Sequence, residues 1–269
     1  MYQTQRALMD LGLNNKLIVV TGGGSGIGAA ITRACLAENA RVAVLGRRSQ
    51  NVIEFMAEMK ASGARCDLIE AHLDDLRRCK EAIIEIEERF GAIDALVNNA
   101  GGNDGVGLET GSVEKFVESL YNNLIHYYAL AHHALPSLKR TQGSIINISS
   151  KVALTGQGGT SAYAAAKGAQ LALTREWAAE LLPYGIRVNS VLPAEVMTPL
   201  YRRYLDRLGE PEAELKRITD KIPLGHRMTS ASEIAAATVF LLSPTQSGHT
   251  TGQHLVVDGG YIHLDRALT

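Results

Sequence analysis

Apolar positions fall into short runs separated by longer amphipathic stretches, and the two kinds alternate along most of the chain. The runs "KLIVV" (16–20), "RVAVL" (41–45), "CDLIEA" (66–71), "DALVN" (94–98), "SIINIS" (144–149), "IRVNSVL" (186–192) and "HLVVD" (254–258) read as strands. They are too short for helices and most are rich in β-branched residues. Between them lie helical patterns: "GIGAAITRACLAENA" (26–40), ending near Asn39, "NVIEFMAEMKAS" (51–62), stopped by Gly63, and "DLRRCKEAIIEIEERF" (75–90). Three more follow: "SVEKFVESLYNNLIHYYALAHHALPSLK" (112–139), a long helix ending near Pro136, "SAYAAAKGAQLALTREWAAEL" (161–181) and "ASEIAAATVFLLS" (231–243). Strand–helix alternation predicts an α/β fold with a mainly parallel seven-stranded sheet, doubly wound, with helices on both faces. The alternation breaks at 197–221, a charged stretch of helical propensity with no strand partner. It reads as a helical insertion over the carboxyl ends of the strands, on the substrate side. A surface excursion with no gating role is the other reading. No linker or repeat divides residues 1–269, so one domain is expected.

Composition narrows the class. The chain has 269 residues, 46% hydrophobic and 20% charged, with a formal net charge of −1. That balance gives no footprint for nucleic acid or an anionic membrane. Cys35, Cys66 and Cys79 are scattered, which favours a reducing compartment over disulfides or structural zinc. The eight histidines show no metal spacing; His132 and His133 are adjacent, and adjacent side chains diverge by about 100° on a helix. The segment "MYQTQRALMDLGLNNK" lacks a long apolar run, so the expected location is the cytoplasm.

Two local patterns carry chemistry. "TGGGSGIG" (21–28) sits between the first strand and the first helix. Its glycines allow close backbone approach, and the helix N-terminus that follows suits a pyrophosphate. This is the layout of a Rossmann-type dinucleotide site. At the end of the second strand an acidic residue would bind a ribose 2′-hydroxyl, and an arginine would accept a 2′-phosphate. Here Gly46 is followed by Arg47 and Arg48. That favours NADP over NAD, unless both arginines are only solvated surface charges. The second pattern is "YAAAK", which puts Tyr163 and Lys167 on one helical face. An ammonium beside a phenol stabilises the phenolate, so the tyrosine is expected to have a lowered pKa and to accept a proton near neutrality.

Taken together, these motifs resemble the short-chain dehydrogenases/reductases over essentially the whole chain. The matching residues are the Thr21–Gly28 loop, "NNAG" at 98–101, Asn123 in "NNLI", Ser150 in "ISS", and Tyr163 with Lys167. The resemblance implies Tyr163 as general base for oxidation, Lys167 lowering its pKa and binding the nicotinamide ribose, and Ser150 holding the reacting oxygen. It implies Asn123 anchoring a water in a proton relay. Cofactor contacts would come from Gly22, Ser25, Gly26, Ile27, Gly28, Arg47, Leu73, Asn98, Ala100 and Gly101. "PAEVMTP" resembles the family's P-G-x-V-x-T, adding Pro193, Val196 and Thr198. Two departures are Ala194, where glycine is usual, and His72, where an aspartate often stands.

Longer stretches resemble a narrower group within the family, the bacterial L-fucose dehydrogenases. These include "VNNAGGNDGVGL", "NISSKVALTGQGGTS", "PAEVMTPLY" and the tail "VDGGYIHLDRAL". The implied reaction is oxidation of the anomeric hydroxyl of L-fucose or a related monosaccharide to a lactone. Gln157 and Glu195 are candidate partners for sugar hydroxyls, with loop-stabilising bonds as the equal alternative. Another sugar, a hydroxysteroid or a 3-oxoacyl thioester would suit the same catalytic set. A nucleotide-binding sensor that has lost turnover is a separate class, disfavoured by the intact Asn123, Ser150, Tyr163 and Lys167. The resemblance also implies a homotetramer, with the apolar helices and the tail "YIHLDRALT" at subunit boundaries.

Overall fold

The computed structural model describes residues 9–264. Seven strands form one sheet: β1 (Leu17–Thr21), β2 (Arg41–Gly46), β3 (Cys66–Glu70), β4 (Ala95–Asn98), β5 (Ser144–Ile148), β6 (Arg187–Pro193) and β7 (His254–Val257). Their order is β3-β2-β1-β4-β5-β6-β7, and every pairing is parallel. Helices α1 (Gly26–Ala37), α2 (Gln50–Ala61) and α3 (Leu76–Phe90) follow the first three strands.

Strand periodicity decides which helix meets which face. Ile18 and Val20 of β1 join one core with Ile31 and Cys35 of α1, Phe55 of α2, and Ile234 and Val239 of α9 (Ala231–Leu242). Leu17 and Val19 point the other way, into a core with Ile83 and Ile86 of α3, and with α5 (His126–Thr141) and α6 (Ser161–Glu180). Both faces of β1 are therefore apolar, as a parallel sheet covered on both sides requires. The order reverses between β1 and β4, which opens a crevice at their carboxyl ends.

The long helix expected over 112–139 departs from expectation twice. It is split into α4 (Val113–Leu120), a π-helical turn (Tyr121–Ile125) and α5. It also does not end near Pro136, but runs through it to Thr141. Pro136 removes the amide that would bond the His132 carbonyl. Both residues are exposed, so water can take that carbonyl. Ala134, Ser137 and Leu138 meanwhile hold the helix on the core. The helix stops instead at Gln142, in the left-handed conformation with φ 50°. The stretch 197–221 forms two short helices, α7 (Pro199–Leu205) and α8 (Pro211–Thr219), which pack on each other.

Candidate active site

The crevice begins at the glycine loop. Gly22 (φ 63°) and Gly26 (φ 54°) occupy the left-handed region that favours glycine. Gly28 permits a closer approach still: a Cβ there would stand 2.2 Å from the Gly22 carbonyl oxygen. Ser25 is the N-cap of α1, yet its side chain makes no capping bond, and the first turn carries no acidic residue. The first-turn amides of α1, around Ile27, thus lack a side-chain acceptor, and the positive helix end suits an anion. At the tip of β2, Arg47 and Arg48 are exposed and form no ion pair among the described residues. A Cβ on Gly46 would meet nothing closer than 3.6 Å. A Cβ would therefore meet only ordinary contacts at that position. Leu73 is half-buried against the core, and His72 is exposed. These features fit a dinucleotide whose pyrophosphate lies on α1 and whose ribose lies near β2.

The β4 loop is tied to the first loop through Thr21. Its Oγ1 accepts from the amides of Asn99 (2.8 Å) and Ala100 (2.9 Å), and Asn99 Nδ2 donates to the Thr21 carbonyl at 2.9 Å. Gly101 follows at φ 144°, where a Cβ would strike Asn123 Oδ1 at 2.6 Å. Asn98 is fully buried and donates to Asn147 Oδ1 on β5 at 3.1 Å, so its side chain braces the sheet.

Asn123 sits in the π turn, and three of its groups are bonded. Its Oδ1 accepts from Gly102 N (2.8 Å), its Nδ2 donates to the Ser119 carbonyl (3.0 Å), and its own carbonyl accepts from Gln170 Nε2 (2.6 Å). Ser150 caps the short turn after β5, its Oγ accepting from Val152 N at 3.4 Å. Tyr163 and Lys167 lie one turn apart on α6, with the ammonium 5.5 Å from the phenol ring centre. Lys167 Nζ donates to the Ile148 carbonyl at 2.8 Å and to Gln170 Oε1 at 3.3 Å.

The electrostatics correct one expectation. The Tyr163 phenol is not lowered; burial pushes it up to about 12, opposed by the Ser150 hydroxyl and reinforced by Asp104. Burial also lowers Lys167 to about 7. Burial thus disfavours the ammonium that the phenol would rely on. The protein alone therefore leaves Tyr163 a weak base, and positive charge brought into the crevice would be needed to complete its activation.

At the rim, Pro193 and Val196 are buried, and Val196 forms a β-bridge to Thr229. Thr198 caps α7, accepting from Tyr201 N at 3.2 Å, and its methyl lies over Gly26. Sequence reading missed the ion pair between Glu195 and Lys151, whose side chains are 15% and 10% exposed. Their 44-residue separation gives no local signal. The Lys151 ammonium also lies 4.2 Å from the Tyr261 ring centre. The Tyr201 phenol beside Glu195 is pushed up by burial and by that carboxylate. Gln157 is exposed on the preceding loop and shares no hydrogen bond with Glu195. Residues 265–269 of the expected boundary tail lie outside the described residues.

Comparison with known proteins identifies the family. A family model described as enoyl-(acyl carrier protein) reductase matches residues 22–262. L-fucose dehydrogenase of Bos taurus is 36% identical over 91% of this chain and 88% of its own. The crystal structure of Cj0485 dehydrogenase superposes with a TM-score of 0.91 at 43% identity, covering 97% of this chain and 99% of that one. The ligand-free aldohexose dehydrogenase of Thermoplasma acidophilum gives 0.85 at 30%, over 96% and 98%. Motif order, an all-parallel sheet of this topology and these likenesses agree: the chain belongs to the short-chain dehydrogenase/reductase family, oxidoreductases that act on CH–OH groups with a nicotinamide dinucleotide.

Proposed function

We propose that the protein oxidises the anomeric hydroxyl of L-fucose, or of an aldose of like configuration, to the lactone, with NADP preferred over NAD. The observation that carries the substrate class is the polar rim. Lys151 and Glu195 place an ion pair one residue after Ser150 and two after Pro193, where a steroid or acyl chain would need an apolar wall. The sugar-dehydrogenase names of the relatives support the same choice. Arg47 and Arg48, free of ion pairs among the described residues, support NADP.

The nicotinamide, when bound, supplies the hydride acceptor. The chain's residues handle the rest. Ser150 Oγ donates to the anomeric oxygen and holds it against Tyr163. Tyr163 takes the hydroxyl proton. Lys167 offers its third N–H, beyond those given to Ile148 and Gln170, to a ribose hydroxyl. Gly22, the α1 amides and Arg47 hold the phosphates; Ala100, Gly101, Pro193, Val196 and Thr198 border the remaining length. The carboxylate of Glu195, fixed by Lys151, and the amide of Gln157 accept or donate to sugar hydroxyls. Helices α7 and α8 form a substrate-side cover beginning at Thr198. The scattered free cysteines support a reducing, cytoplasmic setting.

The test is initial rates with NADP and NAD across L-fucose, L-galactose, D-arabinose, D-glucose and an estradiol control. Saturable turnover of L-fucose, faster with NADP, is expected, and Tyr163→Phe abolishes it. Absence of saturation by any sugar, with cofactor still bound, rejects the sugar reading and leaves ketone reduction on the same scaffold.

A further inference from the structure

Gln170 is fully buried on α6, three residues beyond Lys167, and no sequence motif had singled it out. A buried amide must find partners or cost stability. This one finds them on two sides. Its Oε1 accepts from Lys167 Nζ at 3.3 Å, and its Nε2 donates to the Asn123 carbonyl at 2.6 Å. Nearby, Tyr127 Oη donates at 3.2 Å to the same Ile148 carbonyl that takes Lys167 Nζ at 2.8 Å. Packing alone asks for no amide here, since an apolar side chain of that size would fill the space. A satisfied polar network in a core does something else: it fixes one arrangement.

We propose that Gln170 is a positioning residue for the reaction, its amide linking the Lys167 ammonium to the π turn that carries Asn123. Of the three N–H groups of Lys167, Ile148 and Gln170 take two. The lysine cannot swing, and the third is left for a ligand in the crevice. The π turn is held from the same point, because the Asn123 carbonyl it presents is the one Gln170 grips. The amide oxygen also favours the charged form of the lysine, against the burial that lowers it.

The surrounding groups make Lys167 the one to watch. Tyr163 on its own helix and Tyr127 on α5 are both pushed up by burial, and His126 on α5 is pushed down to about 4. None of the three changes charge near neutrality. Asp74 acts on His126, and Asp104 on Tyr163.

Two near-isosteric variants separate this role from a merely structural one. Gln170→Met removes both bonds at similar volume; Gln170→Glu puts a carboxylate against the ammonium. The Lys167 titration is followed by NMR of lysine-labelled protein without cofactor, its signal assigned with Lys167→Arg. Its midpoint moves down in Gln170→Met and up in Gln170→Glu. NADPH affinity, read by fluorescence, weakens about three- to tenfold in Gln170→Met. Thermal unfolding shows that each variant is folded at the measuring temperature. A midpoint and an affinity unchanged in both folded variants overturn the proposal. The kinetic part rests on the proposed sugar oxidation: kcat falls about tenfold in Gln170→Met while KM for the sugar stays within about twofold. The titration and cofactor binding need no substrate. Failure of L-fucose turnover would therefore reject the substrate and leave the Gln170 result standing.

Discussion

Lys167 makes the tension between stability and function measurable at one residue. Its folded pKa is about 7 against an ordinary 10.5. Between those values the unfolded chain carries the proton and the folded chain does not, so stability rises with pH through that window. Below it, the full penalty of burying an unpaired ammonium applies. Lys167→Met is therefore expected to be more stable than the parent at pH 7, by on the order of a few kcal/mol, with the gain fading toward pH 10. Urea unfolding at the two pH values reads the difference; equal gains at both would place the effect in packing instead. The same variant should lose turnover. Arg47 offers a second check. If Arg47 binds a 2′-phosphate as proposed, Arg47→Ala should raise KM for NADP about tenfold or more, with KM for NAD unmoved. Equal changes for both cofactors would show that the arginine does not read the phosphate. The sequence marks both positions, one by its spacing to Tyr163 and the other by its place at a strand end, and these two variants test the roles expected there. The basicity of Tyr163 was not legible. Spacing reports that a lysine is near, but burial decides whether that lysine is charged.

At the scale of elements, strands and helices follow their patterns closely, because strands covered on both faces are short continuous apolar runs and the helices between them are longer and mostly amphipathic. The π turn at Tyr121–Ile125 was invisible. One extra residue in a turn leaves the surrounding amphipathic pattern nearly intact, yet it turns Asn123 inward to Gly102 and Gln170. Deleting Asn122 should let α4 and α5 run on as one α-helix and withdraw the Asn123 side chain. Helix content by circular dichroism should hold while kcat falls about 100-fold or more. Retained activity would show that the extra residue does not place Asn123. Helix α9 tests ordinary capping. Ser230 accepts from Glu233 N at 3.2 Å, and the Glu233 carboxylate accepts from Ser230 N at 2.8 Å. Ser230→Ala should cost about 1 kcal/mol in urea unfolding without touching catalysis.

For the whole molecule, long-range pairings were the hidden part: Lys151 with Glu195, and Thr21 with the β4 loop, join segments that no local window spans. Surface apolar residues raise a further question at this scale. Val113, Val117 and Tyr121 recur every four residues along α4 and into the π turn, and are 75%, 46% and 41% exposed. Tyr128 on α5 is 56% exposed, stacks on His132 and lies 6.4 Å from Trp177 of α6. Exposed apolar residues of this kind on α4 and α5 are surfaces that association would bury. The family resemblance implies four copies. Sedimentation at micromolar concentration should therefore give a species of about four times the 28.9 kDa chain mass. Val117→Asp combined with Tyr128→Asp places charges where a dry contact is expected and should shift the distribution to smaller species. If the parent sediments as a monomer, the apolar row is an ordinary surface. If the parent is a tetramer that the double variant leaves intact, the contact lies on other helices. If the double variant dissociates, its cofactor affinity shows whether the crevice needs the assembly to hold its shape.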